Sequence, residues 1–180
     1  MNATTNSTTG VDLDAAVVVA LGGNLQGEHP SSEALLEAAL ASFASAGLTI
    51  LRRSSWWRSA AWPDAGQPEY RNGIVLVETD LDPRATLAAL HALEARFGRH
   101  RGLANAPRTL DLDLIGYGRT VMSDDGVIIP HPRAHERLFV MGPLAEIAPA
   151  WLHPVFQRTA ADLAAGATVG LDATPASPPR

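Results

Sequence analysis

Residues 107–115 read Pro-Arg-Thr-Leu-Asp-Leu-Asp-Leu-Ile, and they carry the clearest structural signal in the chain. Apolar and acidic residues alternate here with a period of two, which is typical of a β-strand with one buried face. Residues i and i+2 of a strand point to the same side of the sheet. The alternation therefore predicts that the leucines face a core, while Asp111 and Asp113 face away from it together, roughly 7 Å apart along the backbone.

Two carboxylates on one side of a strand repel each other unless a cation lies between them. Hard oxygen ligands suit Mg²⁺, which binds through one or two carboxylates together with substrate phosphates. Arg108 precedes the pair, and its guanidinium suits phosphate. This combination predicts phosphoryl-transfer chemistry. The alternative is an apolar strand with two solvated acidic residues, because a D-x-D pattern alone is a weak signal.

The segments around this strand predict the element order β-α-β-β-α-β. Strands are expected over 15–21, 48–59, 72–79 and 109–117. One helix begins after Ser31 or Ser32 and is closed by Gly47, and a second begins at Asp82-Pro83. A hairpin over 121–129 and helices near 134–147 and 159–165 follow as C-terminal additions. The order predicts an α+β, ferredoxin-like fold, an antiparallel sheet with helices packed on one face.

Composition limits the classes of protein that the chain can represent. It has 180 residues, a net charge of −5 and no cysteine, so disulfides, thiolate chemistry and broad nucleic-acid binding are not expected. No apolar run approaches the length of a membrane span, and we expect a cytoplasmic protein. Residues 1–14 are expected to form a disordered leader, 15–165 a single domain and 166–180 a flexible tail.

Basic residues and aromatic residues mark two further candidate regions. Arg99, Arg101 and Arg108 could clamp a polyphosphate, or could simply offset the aspartates from a solvated loop. The prolines beside His131 stiffen a segment that suits phosphate contact, or that forms an ordinary turn. Between strands, the loop over 59–72 holds aromatic and amide side chains that could sandwich a flat heterocycle, or that belong to a plain connection.

Four segments resemble one enzyme family, the 6-hydroxymethyl-7,8-dihydropterin pyrophosphokinases of folate biosynthesis. They are ALGGNL at 20–25, GQPEYRN at 66–72, NAPRTLDLDLIGYG at 105–118 and PHPRAHERLFVMGPLAEIAP at 130–149. The resemblance extends over about residues 17–156. It implies a catalytic domain that transfers pyrophosphate from ATP to the hydroxymethyl group of the pterin and leaves AMP.

The resemblance also implies the site residues. Two Mg²⁺ ions are expected with ATP, bridged by Asp111 and Asp113. The catalytic positions are Asp111, Asp113, Arg99 and Arg108. The ATP positions are His91, Glu94, Arg99, Arg101, Arg108, Leu114, His131 and Arg137. The pterin positions are Ser59, Ala60, Trp62, Tyr70, Asn72 and Phe139. The partners are ATP and the pterin, with no nucleic acid and no membrane, and the protein is expected to be a monomer.

The chain departs from the family pattern at a few positions. Asn105 stands where many members have Trp, Gly102 where Lys is common, and Ser59-Ala60 where Thr-Pro is usual. Two other functions remain open at this point. One is a different Mg-dependent D-x-D nucleotide transferase, which would not depend on pterin. The other is a non-catalytic ferredoxin-like ligand-binding domain, which would not consume ATP.

Overall fold

The computed structural model describes residues 10–61, 64–99 and 107–176. Its strands are β1 Val17–Gly23, β2 Thr49–Arg53, β3 Trp57–Ser59, β4 Tyr70–Glu78, β5 Asp111–Tyr117, β6 Met122–Asp124, β7 Val127–Ile129 and β8 Thr174–Pro175. Its helices are α1 Ser32–Ala41, α2 Pro83–Arg96, α3 Leu138–Ile147 and α4 Ala160–Ala165. The predicted β-α-β-β-α-β order is therefore confirmed.

The main sheet is antiparallel and has the strand order β5-β1-β4-β3-β8, with β2 also paired to β4. Strand β1 lies between β5 and β4 and pairs with both. Its register places Gly22 opposite Asp111 on one side and opposite Asn72 on the other. It also places Ala20 opposite Asp113. One end of the sheet thus brings together polar residues that are far apart in sequence.

Both faces of the sheet are covered, which differs from the predicted single covered face. The leucines of residues 107–115 pack with Val19, Leu36 of α1 and Leu90 of α2. The opposite face packs Val18 and Ile115 against α3 and α4. The alternation of β1 explains this arrangement, because Val17 and Val19 point to one side and Val18 to the other, and all three are buried. The C-terminal helices are therefore a second layer of the fold.

The sequence predicted the starts of α1 and α2 well, but it did not predict the end of α1 or the division of the strand over 48–59. Ser31 Oγ accepts the amide of Ala34, and Asp82 Oδ1 accepts the amide of Ala85, so both capping predictions are confirmed. Helix α1 ends at Ala41, and Gly47 instead closes a separate 3₁₀ turn with φ of 81°. The strand predicted over 48–59 is divided into β2 and β3, with Ser54 between them donating to Ile74 O.

The described part of the predicted tail, 166–176, packs against the domain. Strand β8 pairs with β3, and the amides of Thr168 and Val169 both donate to Glu136 O at 2.9 Å. The predicted hairpin is present as β6 and β7. Among the described residues, no helix is both long and apolar enough to cross a membrane.

Candidate active site

A cleft of about 410 Å³ opens over the end of the sheet where Gly22, Asn72 and Asp111 lie side by side. It is bounded by β1, β4 and β5 below, by the start of α3 on one side and by the C-terminal segment on another. Nine of the predicted site residues line it: Ser59, Ala60, Tyr70, Asn72, Arg108, Asp111, Asp113, Arg137 and Phe139. The fold therefore gathers both predicted substrate regions into one cavity.

Two arginines hold Asp111 at the acidic end of the cleft. Arg99 Nη1 donates to Asp111 Oδ1 at 2.6 Å, and Arg108 Nη1 donates to Asp111 Oδ2 at 2.8 Å. The three side chains are between 20% and 31% exposed, so their charges attract each other more strongly than fully exposed charges would. The negative charge of Asp111 is thus balanced by a guanidinium group on each of its two oxygens, and both guanidinium groups lie where phosphate is expected.

Asp113 lies on the same side of β5 and has a different environment. Burial, together with the neighbouring charge of Asp111, raises the pKa of Asp113 to about 7, even though Arg137 offsets part of both effects. A carboxyl group with such a pKa is held in a place that favours an added cation. The pair consequently has the electrostatic character of a metal-binding site.

Glu94 of α2 supports the site at the outer edge of β5. The residue is 2% exposed, and its carboxylate accepts the Leu112 amide at 2.7 Å together with a hydrogen bond from Arg99. Burial raises the pKa of Glu94, and the bonds from Leu112 and Arg99 offset part of that rise. Glu94 therefore does not line the cleft. It orients Arg99 toward Asp111.

A second basic side of the cleft comes from the segment before α3. Burial lowers the pKa of His131, and Arg137 lowers it further, so the imidazole is neutral. Its Nδ1 accepts the Arg133 amide at 3.2 Å, which leaves the proton on Nε2. Arg133 and Arg137 both line the cleft. This side offers the two cationic groups of Arg133 and Arg137 to an anion.

The other end of the cleft has amide, hydroxyl and aromatic groups. Asn72 and Ser59 are each 6% exposed, and Asn72 Nδ2 donates to Ser59 Oγ at 2.9 Å. Burial raises the pKa of Tyr70, so its hydroxyl stays protonated. Phe139 completes this end from the first turn of α3. A flat polar heterocycle is the kind of molecule that such a set of groups can hold.

The turn after β1 joins these two ends. Asn24 is 4% exposed, accepts the Arg108 amide at 3.0 Å and donates to Pro68 O at 3.1 Å. A Cβ on Gly23 would lie 2.4 Å from Thr109 O, so only glycine permits this approach of the two backbones. The Gly-Gly-Asn turn thus packs against the Arg108 segment.

The remaining predicted residues are distributed as follows. Arg99 and Glu94 form a network with Asp111. His131 is affected by the charges of Arg137 and Asp111 but is not among the residues that line the cleft. His91 is exposed on α2 and is not among them either. The Leu114 side chain packs in the core with α1 and α2, on the opposite side of β5 from Asp113. Arg101 and Trp62 lie outside the described residues.

Eight residues that line the cleft were not among the predicted site residues, and apart from Ala20, Leu21, Gly22 and Val140 they form two groups. The first is Arg133, which belongs to the stiff segment beside His131, and its place two residues after that histidine was a usable signal. The other group is Thr168, Val169 and Gly170. Composition assigned that stretch to a tail, and its β-branched pair before a glycine was the only local sign of order.

Asp111 and Asp113 provide the carboxylate oxygens that a divalent cation needs. Within 10–61, 64–99 and 107–176, no three acidic or histidine side chains come together as a metal cage. A cation held here would therefore take its other ligands from substrate or water, which is the usual arrangement for Mg²⁺. Asp111 and Asp113 fit this ion, provided that the arginines release Asp111 when phosphate arrives.

Comparison with known proteins agrees with the geometry and with the predicted resemblance. Residues 18–149 match the family 7,8-dihydro-6-hydroxymethylpterin-pyrophosphokinase (HPPK). A 2-amino-4-hydroxy-6-hydroxymethyldihydropteridine pyrophosphokinase of Synechocystis sp. is 44% identical over 143 residues, which cover 79% of this chain and 71% of that protein. The enzyme of that name from Pseudomonas aeruginosa is 37% identical over 134 residues, covering 74% and 80%.

Solved structures support the fold separately. A crystal structure of Plasmodium falciparum HPPK-DHPS aligns with a TM-score of 0.65 at 12% identity, over 83% of this chain and 44% of that chain. At this identity the similarity concerns the fold alone, and the chain spans less than half of that structure. Together with the family match over residues 18–149, these findings establish that the chain belongs to the HPPK family.

Proposed function

We propose that this protein transfers pyrophosphate from ATP to 6-hydroxymethyl-7,8-dihydropterin, giving the pterin pyrophosphate and AMP in folate biosynthesis. Membership of the HPPK family and the names of the relatives support this activity. The observation that carries it in the structure is the single cleft with two chemically different ends. One end holds paired carboxylates among arginines, and the other holds buried amide, hydroxyl and aromatic groups.

Phosphate binding is assigned to the arginine-rich end. Arg99 and Arg108 are each within hydrogen-bond distance of Asp111, so both can exchange that carboxylate for phosphate oxygens. Arg133 and Arg137 line the cleft on the side formed by the segment before α3. His131 lies close enough to Arg137 and Asp111 for their charges to affect its pKa. Cations on two sides stabilise the charge that develops during transfer, and catalysis rests on positioning and electrostatics.

Asp111 and Asp113 would hold the two Mg²⁺ ions expected with ATP. Such ions would neutralise phosphate charge and increase the acidity of the attacking hydroxyl. The carboxylates contribute by standing on one side of β5, where the adjacent strand carries only Ala20 and Gly22 opposite them. Small residues at these positions leave the space above the aspartates open.

Pterin binding is assigned to the end lined by Tyr70, Asn72 and Phe139. Phe139 and Tyr70 offer aromatic faces, and Asn72 offers an amide whose orientation is set by Ser59. We expect a pterin bound there to direct its hydroxymethyl group toward Asp111 and Asp113. The Leu114 side chain has no role in the proposal, since it packs in the core. The ATP position of His91 stays an expectation from the family resemblance.

The same proposal covers the assembly and the location. We propose a monomer, because one chain supplies both ends of the cleft. We propose the cytoplasm as its location, since that compartment supplies ATP.

The proposed activity is tested by incubating the protein with Mg²⁺, ATP and the pterin, and separating AMP from ADP. Pterin-dependent AMP formation is expected, and Asp113→Asn should reduce it by about a thousandfold, as loss of a metal ligand does. ADP as the product would indicate another nucleotide transferase. Pterin binding without nucleotide turnover would indicate a ligand-binding domain. Either result would reject the proposal.

A further inference from the structure

Three residues that line the cleft lie beyond the segment matched by the HPPK family. The match ends at residue 149, whereas Thr168, Val169 and Gly170 form part of the cleft wall. They belong to residues 166–176, which we name the C-terminal strap. The strap runs from the start of α3 to the edge of β3. It therefore connects two elements that carry predicted pterin positions.

The inner half of the strap is held by backbone hydrogen bonds. The amides of Thr168 and Val169 donate to Glu136 O, and the amide of Leu138 donates to Val169 O, each at 2.9 Å. These bonds are made with the two residues that flank Arg137. The inner strap is consequently fixed to the backbone that presents Arg137 and Phe139 to the cleft.

Gly170 contacts the Phe139 ring directly. Its φ is +67°, a conformation that favours glycine, and a Cβ placed on it would lie 2.4 Å from Phe139 Cδ1. Phe139 therefore packs against the strap backbone on this side. The ring has no room to move toward the strap.

The outer half of the strap is attached to β3. The β3–β8 register pairs Trp57 with Pro175 and Arg58 with Thr174, and continuing it brings Asp172 opposite Ala60. Asp172 Oδ2 accepts the Ala60 amide at 2.6 Å, so a side chain provides the next bond of the ladder. Ala60 itself lines the cleft. Asp172 thus fastens the end of β3 to the strap.

We propose that Asp172 is a positioning residue for the pterin. By accepting the Ala60 amide it fixes the separation between Ala60 and Phe139, the two sides of the heterocycle end of the cleft. The inference rests on the proposed function, since it assigns a determinant of pterin affinity. Because Asp172 is exposed, its hydrogen bond adds little to overall stability. Its loss should therefore alter binding more than folding.

The test compares Asp172→Ala and Asp172→Asn with Asp80→Asn, an exposed aspartate that does not line the cleft. For Asp172→Ala we expect the Kd of 6-hydroxymethyl-7,8-dihydropterin, followed by its fluorescence, to rise about fivefold. The KM for ATP, kcat and Tm should change little. Asp172→Asn keeps an acceptor oxygen and should recover most of the affinity. Asp80→Asn should match the wild type.

Gly170→Ala provides a second variant from the inner strap. Its Cβ would displace Phe139, so the pterin Kd should rise while ATP binding is retained. If the wild type does not bind the pterin at all, the proposed function fails and the inference fails with it. If the wild type binds and Asp172→Ala binds equally well, only the inference is overturned. A similar loss of ATP and pterin affinity in Asp172→Ala would also overturn it.

Discussion

Replacing Glu94 by alanine tests whether the buried carboxylate at the outer edge of β5 holds the site together. The change leaves the Leu112 amide without its acceptor in a buried place, which costs about 1–3 kcal/mol. It also removes Glu94 as one of the two carboxylate partners of Arg99. Because Arg99 is 20% exposed and keeps Asp111 as a partner, this loss costs less free energy than breaking a buried ion pair usually does. We expect the free energy of unfolding to fall by about 3 kcal/mol in total.

Urea unfolding followed by circular dichroism measures this loss, and for a chain of this length Tm should fall by about 6–12 °C. Glu94→Gln keeps an acceptor for the Leu112 amide and should lose about half as much stability. It should still reduce kcat/KM about tenfold, because Arg99 is no longer oriented by a carboxylate. Glu78→Ala, at the exposed end of β4, is the matched control. A loss below about 1 kcal/mol in Glu94→Ala would refute the reasoning.

Three further predictions concern Asp113, His153 and Asn24. The pKa of Asp113 is raised to about 7 from an ordinary value of 3.8, so the folded protein binds more protons than the unfolded chain between these pH values. Stability should therefore fall as pH rises through this range, and Asp113→Asn should stabilise the metal-free protein at pH 8 by about 1–2 kcal/mol. Burial lowers the pKa of His153 to about 4 from 6.5, so stability should fall by about 2 kcal/mol as pH drops from 6.5 to 4, and His153→Gln should flatten that part of the curve. Asn24→Ala removes the buried amide that joins the Arg108 segment to Pro68. The free energy of unfolding should fall by about 2 kcal/mol, and the KM of both substrates should rise.

Each of these measurements has a contradicting outcome. Equal effects of Asp113→Asn on Tm at pH 5 and pH 8 would show that this carboxyl group titrates normally. If stability falls between pH 6.5 and 4 as much in His153→Gln as in the wild type, other groups cause that fall. A rise in KM for only one substrate in Asn24→Ala would show that its turn does not connect the two ends of the cleft.

The elements that the sequence predicted well are those with a strong local signal. The alternation in residues 107–115 predicted which side of β5 is buried, and the leucines are in the core as expected. The caps at Ser31 and Asp82 are side-chain bonds within a few residues, so they too could be predicted locally. The prediction that helices cover a single face of the sheet was wrong, because the apolar character of α3 does not reveal which side of the sheet it covers.

The site was predicted from two sources of different strength. The residues themselves predicted the carboxylate pair and the arginines beside it. The family resemblance supplied the pterin positions, of which all but Trp62 lie on the cleft of the described structure. The role of Glu94 was not predictable from spacing, since its carboxylate reaches Leu112 across 18 positions of the chain.

The sequence by itself determined the strand pattern, the helix starts, the acidic pair on β5 and the family, because these depend on residue type at short spacing. Only the tertiary structure decided which distant residues meet. Pairing of β1 with β4 and β5 placed Asn72 and Asp111 on either side of Gly22. Packing of the strap brought Asp172 to Ala60 across 112 positions. Such contacts depend on strand register and on the packing of whole layers, which no local pattern of side chains specifies.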